Sequence, residues 1–342
     1  MVKQAIFDKR NILVVGGAGF IGSHLCDELV KHSKVICVDT FITGRVENIE
    51  HLLGNPNFIF IKHDASEPLD LTLFPELEKF QVQFQGVQEV YNLAVPTNKH
   101  SFEQHVYHTL LANSYVVRNT LELAKQYQAK YLLASSSAVY GDPIDGQDLF
   151  SEDYWGFIDI TGPRSCYNEG KRFAETFTYS FAHKFGVDVK VARIFNTYGP
   201  RMALNSGRMI PDFVVAAAEG KDIVIYGDGS ETDTYCFVGD IVDGLLKLMN
   251  YKIDGPVNLG SPERYTLLDI AKKIIAFTES KSQIQFAAPL PFLNKPGVAD
   301  IAKGKQRLGW FPVIGLDEGL KQTVADMLGS RVLTYASVGR VL

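Results

Sequence analysis

The chain has no surplus of positive charge. Across 342 residues, 34 Lys and Arg stand against 39 Asp and Glu, a formal net charge of −5. Nothing is left over to neutralise the phosphates of a nucleic acid, which is therefore not expected as a partner. Cysteine is scarce: Cys26, Cys37, Cys166 and Cys236 are scattered with neither disulfide nor metal spacing. Such thiols fit a reduced, cytoplasmic setting. No run approaches the roughly 18 apolar residues of a membrane-spanning helix, and the first ten residues hold no apolar signal core, so no membrane association is expected. Repeats and low-complexity tracts are also missing. What remains is an ordinary globular composition, 46% hydrophobic and 21% charged. The length suits one large α/β domain with a smaller region appended.

The chain opens its structured part with an apolar run, Asn11 to Val15, suited to the middle of a parallel sheet. Gly16-Gly17-Ala18-Gly19-Phe20-Ile21-Gly22 follows, then a helical pattern with Ile21, Leu25 and Leu29 on one face. A second strand, Val35 to Val38, ends in Asp39. Gly16, Gly19 and Gly22 permit a tight turn and let the N–H groups of Phe20 and Ile21 approach a pyrophosphate at the helix N-terminus. Asp39, about twenty residues past the central glycine, is placed to bind ribose hydroxyls. The order strand, glycine turn, helix, strand, acid makes dinucleotide binding the strong expectation.

Further strands are expected at Phe58 to Ile61, Glu89 to Leu93 and Tyr131 to Ala134, with a helix over Leu110 to Gln126. Strands alternating with helices imply a Rossmann-type, doubly wound parallel sheet with its ligands beyond the strand C-termini. Asp64 and Ala94 follow two of those strands. Asp64 could reach an adenine ring or simply make a turn.

A second signal lies in Tyr167-Asn168-Glu169-Gly170-Lys171. Tyr167 and Lys171 are four apart, so they leave one face of a helix one turn from each other. A nearby ammonium favours a phenolate, giving a proton-transfer group usable near neutral pH. Phe173, Phe177, Phe181 and Phe185 recur every four residues as an expected buried stripe along that helix. Upstream, Ser135-Ser136-Ser137-Ala138-Val139-Tyr140-Gly141 follows a strand and could bring a hydroxyl to the phenol. Tyr91 and Trp155 are expected to pack rather than to stack on a ligand. His105 and His108 have no third ligand to complete a metal site, and no metal is expected.

The glycine turn, the Ser-rich loop ending Val-Tyr-Gly, the Tyr-x-x-x-Lys helix and Arg193-Ile194-Phe195-Asn196-Thr197-Tyr198-Gly199-Pro200-Arg201 together resemble the extended short-chain dehydrogenase/reductases. Within that family the chain looks most like the UDP-glucuronate decarboxylases. The phrases that carry this are Thr43-Gly44-Arg45, Ser151-Glu152-Asp153-Tyr154-Trp155-Gly156, Gly162 to Arg172, and Leu308-Gly309-Trp310. The resemblance implies a tightly held NAD that oxidises a sugar at C4, with Tyr167 as base. It implies that Lys171 fixes the cofactor ribose and tunes Tyr167, and that Ser136 hydrogen-bonds the reacting oxygen. Asn113 and Asn196 would line the cofactor and substrate cleft, and Arg208 would meet a phosphate. Residues 1–195 would be mainly the NAD-binding domain and 196–328 mainly the substrate-binding region, with segments returning to the sheet. Residues 329–342 would form a tail outside the resemblance. A homodimer is expected, because the family pairs the helix of the Tyr-x-x-x-Lys motif with a second subunit.

Three positions depart from the decarboxylase pattern. Ala138 stands where that group, like the 4,6-dehydratases, carries a glutamate. Asp233 stands where an arginine grips the nucleotide diphosphate, and the stretch around Gly297 is neutral where a basic pair is usual. Exchanging a cationic clamp for a carboxylate repels the anion it bound. The leading expectation is decarboxylation of a nucleotide-linked hexuronic acid. Ala138 favours 4-epimerisation as the rival, Asp233 favours a sugar without the usual diphosphate, and the two together would suit a regulatory protein that keeps NAD but no chemistry.

Overall fold

A computed structural model describes residues 9–97, 104–144, 146, 148–204, 206–288 and 297–338, with side chains through 329. Its centre is a seven-stranded sheet. Strand β1 (Asn11–Val15) is followed by helix α1 (Phe20–Val30), β2 (Lys34–Asp39), β3 (Phe58–Lys62) and β4 (Glu89–Asn92). Next come α2 (Val106–Leu111), α3 (Val117–Tyr127), β5 (Lys130–Ser136), α4 (Ser165–Phe185), β6 (Val189–Ile194) and β7 (Val257–Leu259). The spatial order is β7-β6-β5-β4-β1-β2-β3, and every neighbouring pair runs parallel. β1 lies between β2 and β4, so the chain reverses its direction of winding there and leaves a crevice at the strand C-termini.

Each face of the sheet is buried, which is why β1 reads as an uninterrupted apolar run. Ile12, Val14 and Cys37 pack with Leu25, Cys26 and Leu29 of α1 and with Ile241 and Leu245 of the helix Val238–Met249. Leu13, Val15 and Ile36 share the opposite layer with Leu121 of α3 and Ala174 and Phe181 of α4. Burying each such aliphatic side chain contributes on the order of 1.5–3 kcal/mol. A separate cluster gathers Ile210, Phe213, Ile225, Ile270 and Leu320, all from beyond residue 196, and forms the opposite wall of the crevice. Trp310 closes the underside of the sheet, wholly buried, its indole N–H donating to Asp240 O at 2.8 Å. That explains the Leu-Gly-Trp phrase by packing.

Three expectations change. The helix over Leu110 to Gln126 is interrupted, with a π-helical turn at Ala112–Val116 between α2 and α3. The phenylalanine stripe is not buried along its length: Phe181 is 7% exposed, Phe173 49% and Phe185 39%. Four residues overshoot a helical turn by about 40°, so the row winds off the buried face over three steps. Trp155 does not pack; it is 90% exposed, in the loop before α4. Tyr91 is wholly buried, as expected.

Candidate functional site

A cleft of about 1710 Å³ runs along the strand C-termini. One half is built from backbone. Gly16 has φ +82°, and a Cβ there would lie 2.7 Å from Ala94 N, so β1 can turn only without a side chain. A Cβ on Gly22 would collide with Gly16 O, and one on Gly19 would crowd the same oxygen at 3.2 Å. α1 therefore begins hard against the turn. Its N-cap is Gly19, no side chain caps it, and its first turn carries no acid. The N–H groups there are left for an anion, a fit to the pyrophosphate of a dinucleotide.

Asp39 ends β2 on the same cleft. It accepts from Ala18 N at 3.0 Å and Phe41 N at 2.8 Å. Burial pushes its carboxyl up, and the N–H groups of Phe41, Ala18 and Thr40 pull it back. The Thr-Gly-Arg phrase now has a reason. A Cβ on Gly44 would sit 2.8 Å from the Asp39 carboxylate, while the Arg45 guanidinium is taken up by Arg201 O at 3.0 Å and Asn48 at 3.3 Å. Asp64 lines the cleft too, with its carboxylate closing a turn by accepting from Ser66 N at 2.9 Å. Phe20, Ile21 and Ala94 also line it.

The middle of the cleft holds Tyr167, Lys171 and Ser136. Both helical residues sit on the buried face of α4. The Lys171 ammonium donates to Ala134 O at 2.7 Å, and burial pulls its pKa down to about 7, with Glu175 working against the fall. Ser135 Oγ donates to Glu175 at 2.5 Å, so Ser135 is already committed to α4. Ser136 Oγ accepts from Ala138 N at 3.1 Å and retains its own proton for a ligand. Ala138 presents only a methyl to the cleft.

The remaining half is made of side chains from distant segments. Arg208 lines it and donates to Thr97 O at 3.2 Å; burial pulls its guanidinium down, the Tyr167 phenol opposes this, and the neighbouring Arg164 adds to it. Asn196 donates to both oxygens of Asp233, at 2.9 and 2.7 Å, and Thr234 N donates to one of them at 2.7 Å. Burial pushes Asp233 up to about 6 against these hydrogen bonds, and no cation pairs with it among the described residues. Gly297 lies on the same wall.

One expected site residue is elsewhere. Asn113 does not line the cleft: its amide donates to Thr109 O at 2.9 Å and packs under Gly170 of α4, where a Cβ would come within 2.8 Å of it. It lies within the π turn and packs against α4 from behind. Residues that sequence reasoning passed over are Arg164 on the cleft wall and the buried pair Glu175–Arg193 beneath it. Glu175 could have been found, since it extends the Tyr167, Lys171 spacing by another four. Its pairing with Arg193 could not, because Arg193 comes from β6, a separate element.

A doubly wound sheet with an anion-ready helix start and a Tyr–Lys pair on one cleft defines a dinucleotide-dependent enzyme of proton and hydride transfer. Residues 12–260 match the model of the NAD dependent epimerase/dehydratase family. The chain belongs to that family, and NAD is its cofactor. It is 44% identical to UDP-glucuronic acid decarboxylase 1 of Danio rerio over 322 residues, covering 93% of this chain and 72% of that protein. It is 41% identical to UDP-glucuronic acid decarboxylase 1 of Arabidopsis thaliana, covering 93% of this chain and 70% of that one. Among solved structures it resembles UDP-glucuronic acid 4-epimerase from Bacillus cereus in complex with UDP-glucuronic acid and NAD. There the TM-score is 0.79 with 27% identity, over 94% of this chain and 99% of the other.

Proposed function

We propose that the protein decarboxylates a nucleotide-linked hexuronic acid through transient oxidation at the sugar C4. The observation that carries this is the convergence of Tyr167, Lys171 and Ser136 on a cleft continuous with the glycine turn, in a chain 38–44% identical to proteins named UDP-glucuronic acid decarboxylases. NAD, when bound, supplies reversible acceptance of a hydride at C4. Tyr167 takes the C4 hydroxyl proton, Ser136 donates to the same oxygen, and Lys171 holds the ribose side of the cofactor. A C4 ketone is β to the C6 carboxylate, so the bond to carbon dioxide breaks with its electrons delocalised onto the ketone oxygen; C5 then takes up a proton, and the C4 ketone is reduced back to the alcohol by the returning hydride. Gly16, Gly19, Phe20, Ile21, Gly22, Asp39, Asp64 and Ala94 form the cofactor side. Asn196, Arg208 and Asp233 form the substrate side, mainly from residues 196–328.

A second reading, 4-epimerisation, is favoured by Ala138, which leaves no carboxylate at that end of the Ser-rich loop. A substrate panel followed by mass spectrometry separates the two. Release of carbon dioxide from UDP-glucuronate with formation of a UDP-pentose is expected. A product of unchanged mass establishes the epimerase instead.

The working form proposed is a cytoplasmic homodimer. Phe173 and Phe185 of α4 and Tyr107, Leu110 and Tyr115 of the adjoining helical segment are exposed. A second copy of these helices would cover that apolar surface. Light scattering at micromolar concentration should give twice the chain mass, and a monomer mass would remove the proposal. No helix among the described residues is long and apolar enough to cross a membrane.

A further inference from the structure

Glu175 lies one turn beyond Lys171 on the buried face of α4, with its side chain almost wholly enclosed. Its carboxylate accepts from Ser135 Oγ at 2.5 Å. It also accepts from Arg193 of β6, through Nε at 3.0 and 3.2 Å and Nη2 at 2.8 Å. Arg193 stands directly opposite Ser135 in the β5–β6 register. Its other nitrogen, Nη1, donates to Tyr140 Oη and to Glu152 O, each at 3.0 Å. Tyr140 Oη in turn donates to Asn258 of β7 at 2.7 Å.

These bonds have a specific geometry. Ser135 opens the Ser-rich loop and Tyr140 closes it, so one buried ion pair grips the loop at both ends. Ser136, the hydroxyl facing the cleft, is the next residue after the gripped Ser135. Lys171 holds Ala134 O at the residue before. Three consecutive residues of β5 are therefore set against α4 and the cleft: Ala134 by Lys171, Ser135 by Glu175, and Ser136 facing the reacting centre.

We propose that Glu175, clamped by Arg193, is a positioning residue that fixes Ser136 relative to Tyr167 and sets a negative charge one helical turn from the Lys171 ammonium. A buried guanidinium–carboxylate pair with a third donor leaves no polar group unsatisfied, so the clamp is rigid rather than adjustable. The electrostatic part follows from position. On α4, Lys171 has Tyr167 and Glu175 as its titratable neighbours. From β5 it meets the Ala134 carbonyl; the neutral Asn113 lies against the adjacent Gly170, and His108 of α2 lines the same cleft. Arg193 stands behind Glu175, and Arg208 and Arg164 lie beyond Tyr167. Glu175 is thus the anion that opposes the desolvation of the ammonium.

The inference rests on Tyr167, Lys171 and Ser136 being the chemical site, but not on which sugar enters. Glu175→Gln keeps the shape and an acceptor for Ser135 while removing the charge. Its kcat should fall about tenfold or more with KM within about threefold, because positioning and charge act on the transition state. Since Glu175 raises the Lys171 pKa, its loss should move the alkaline limb of the kcat profile to lower pH. Glu175→Asp should recover part of both. NMR titration of Lys171 in the protein without substrate should show the same downward shift, and this readout does not depend on choosing the right substrate. A Lys171 titration and an alkaline limb both unmoved in Glu175→Gln overturn the electrostatic role. Should Glu175→Gln fail to fold by circular dichroism, Ser135→Ala decides the clamp. A fall in kcat of about three- to tenfold without a shifted limb supports it, and parental kcat overturns it.

Discussion

The two halves of the cleft are made of different material. The half proposed for the dinucleotide is built largely within residues 11–45, with Asp64 and Ala94 beside it, and is mostly backbone: a glycine turn, the start of α1, and one carboxylate held by two N–H groups. The half proposed for the sugar draws its side chains from separate segments, Arg164 and Tyr167 at the start of α4 and Asn196, Arg208 and Asp233 further on, with Thr97 and Gly297 beside them. A site of backbone dipoles depends on where Cβ atoms are absent, so almost any substitution damages it. A site of side chains can be rewritten one residue at a time. Ala138 and Asp233 are changes of that second kind, and the first half shows none.

The comparison breaks most sharply at the boundary between the halves. Tyr167→Phe removes the proton acceptor and leaves the ring packed, so turnover should fall by about 10²-fold or more. Bound NAD, recovered by denaturing the purified protein, should be retained. Turnover close to parental would remove Tyr167 from its assigned role.

Next in size is a test of the backbone half. Gly22→Ala places a methyl against Gly16 O, and accommodating it should cost about 1–3 kcal/mol of stability. Co-purifying NAD should drop well below stoichiometric, read by absorbance of the released dinucleotide and by the melting temperature. In the parent protein that dinucleotide should be NAD and not NADP, because the half-buried Asp39 would meet a 2′-phosphate and Arg45 is engaged elsewhere.

The sugar half should respond in the opposite sense, gaining from a change. Asp233→Arg supplies a charge-assisted hydrogen bond worth on the order of 1.5–3 kcal/mol, so calorimetry should show UDP-glucuronate binding about tenfold more tightly. Unchanged or weaker binding would mean that Asp233 faces a hydrogen-bond donor of the ligand rather than its phosphates.

The smallest effect sharpens the same point through pH. Asp233 is protonated below its pKa of about 6 and becomes an anion as pH rises through that value. The affinity for a diphosphate ligand should therefore be higher at pH 5 than at pH 7.5, by about threefold at this partly screened site. Asp233→Asn should abolish the difference. A slope that survives the substitution belongs to another group.

Contiguity decided what was legible in the sequence. β1, the glycine turn, α1, β2 and Asp39 are neighbours in the chain, and their spacing determined both their structure and their chemistry. The Tyr167–Lys171 pair was equally readable, because a single helical turn brings the two together. Spacing failed where it had to be carried too far: the phenylalanine row follows a period of four, while the helix turns every 3.6 residues. It also could not reveal that Asn113 lies within a π turn and packs behind α4, or that Asn196 grips Asp233 from 37 residues away. The Glu175–Arg193 clamp joins a helix to a strand, and only the packing of α4 onto the sheet makes it. Sequence alone determined those parts of the protein whose partners lie within one turn or one βαβ unit. Tertiary structure decided the rest, because a buried charge takes its partner from whichever element packs against it.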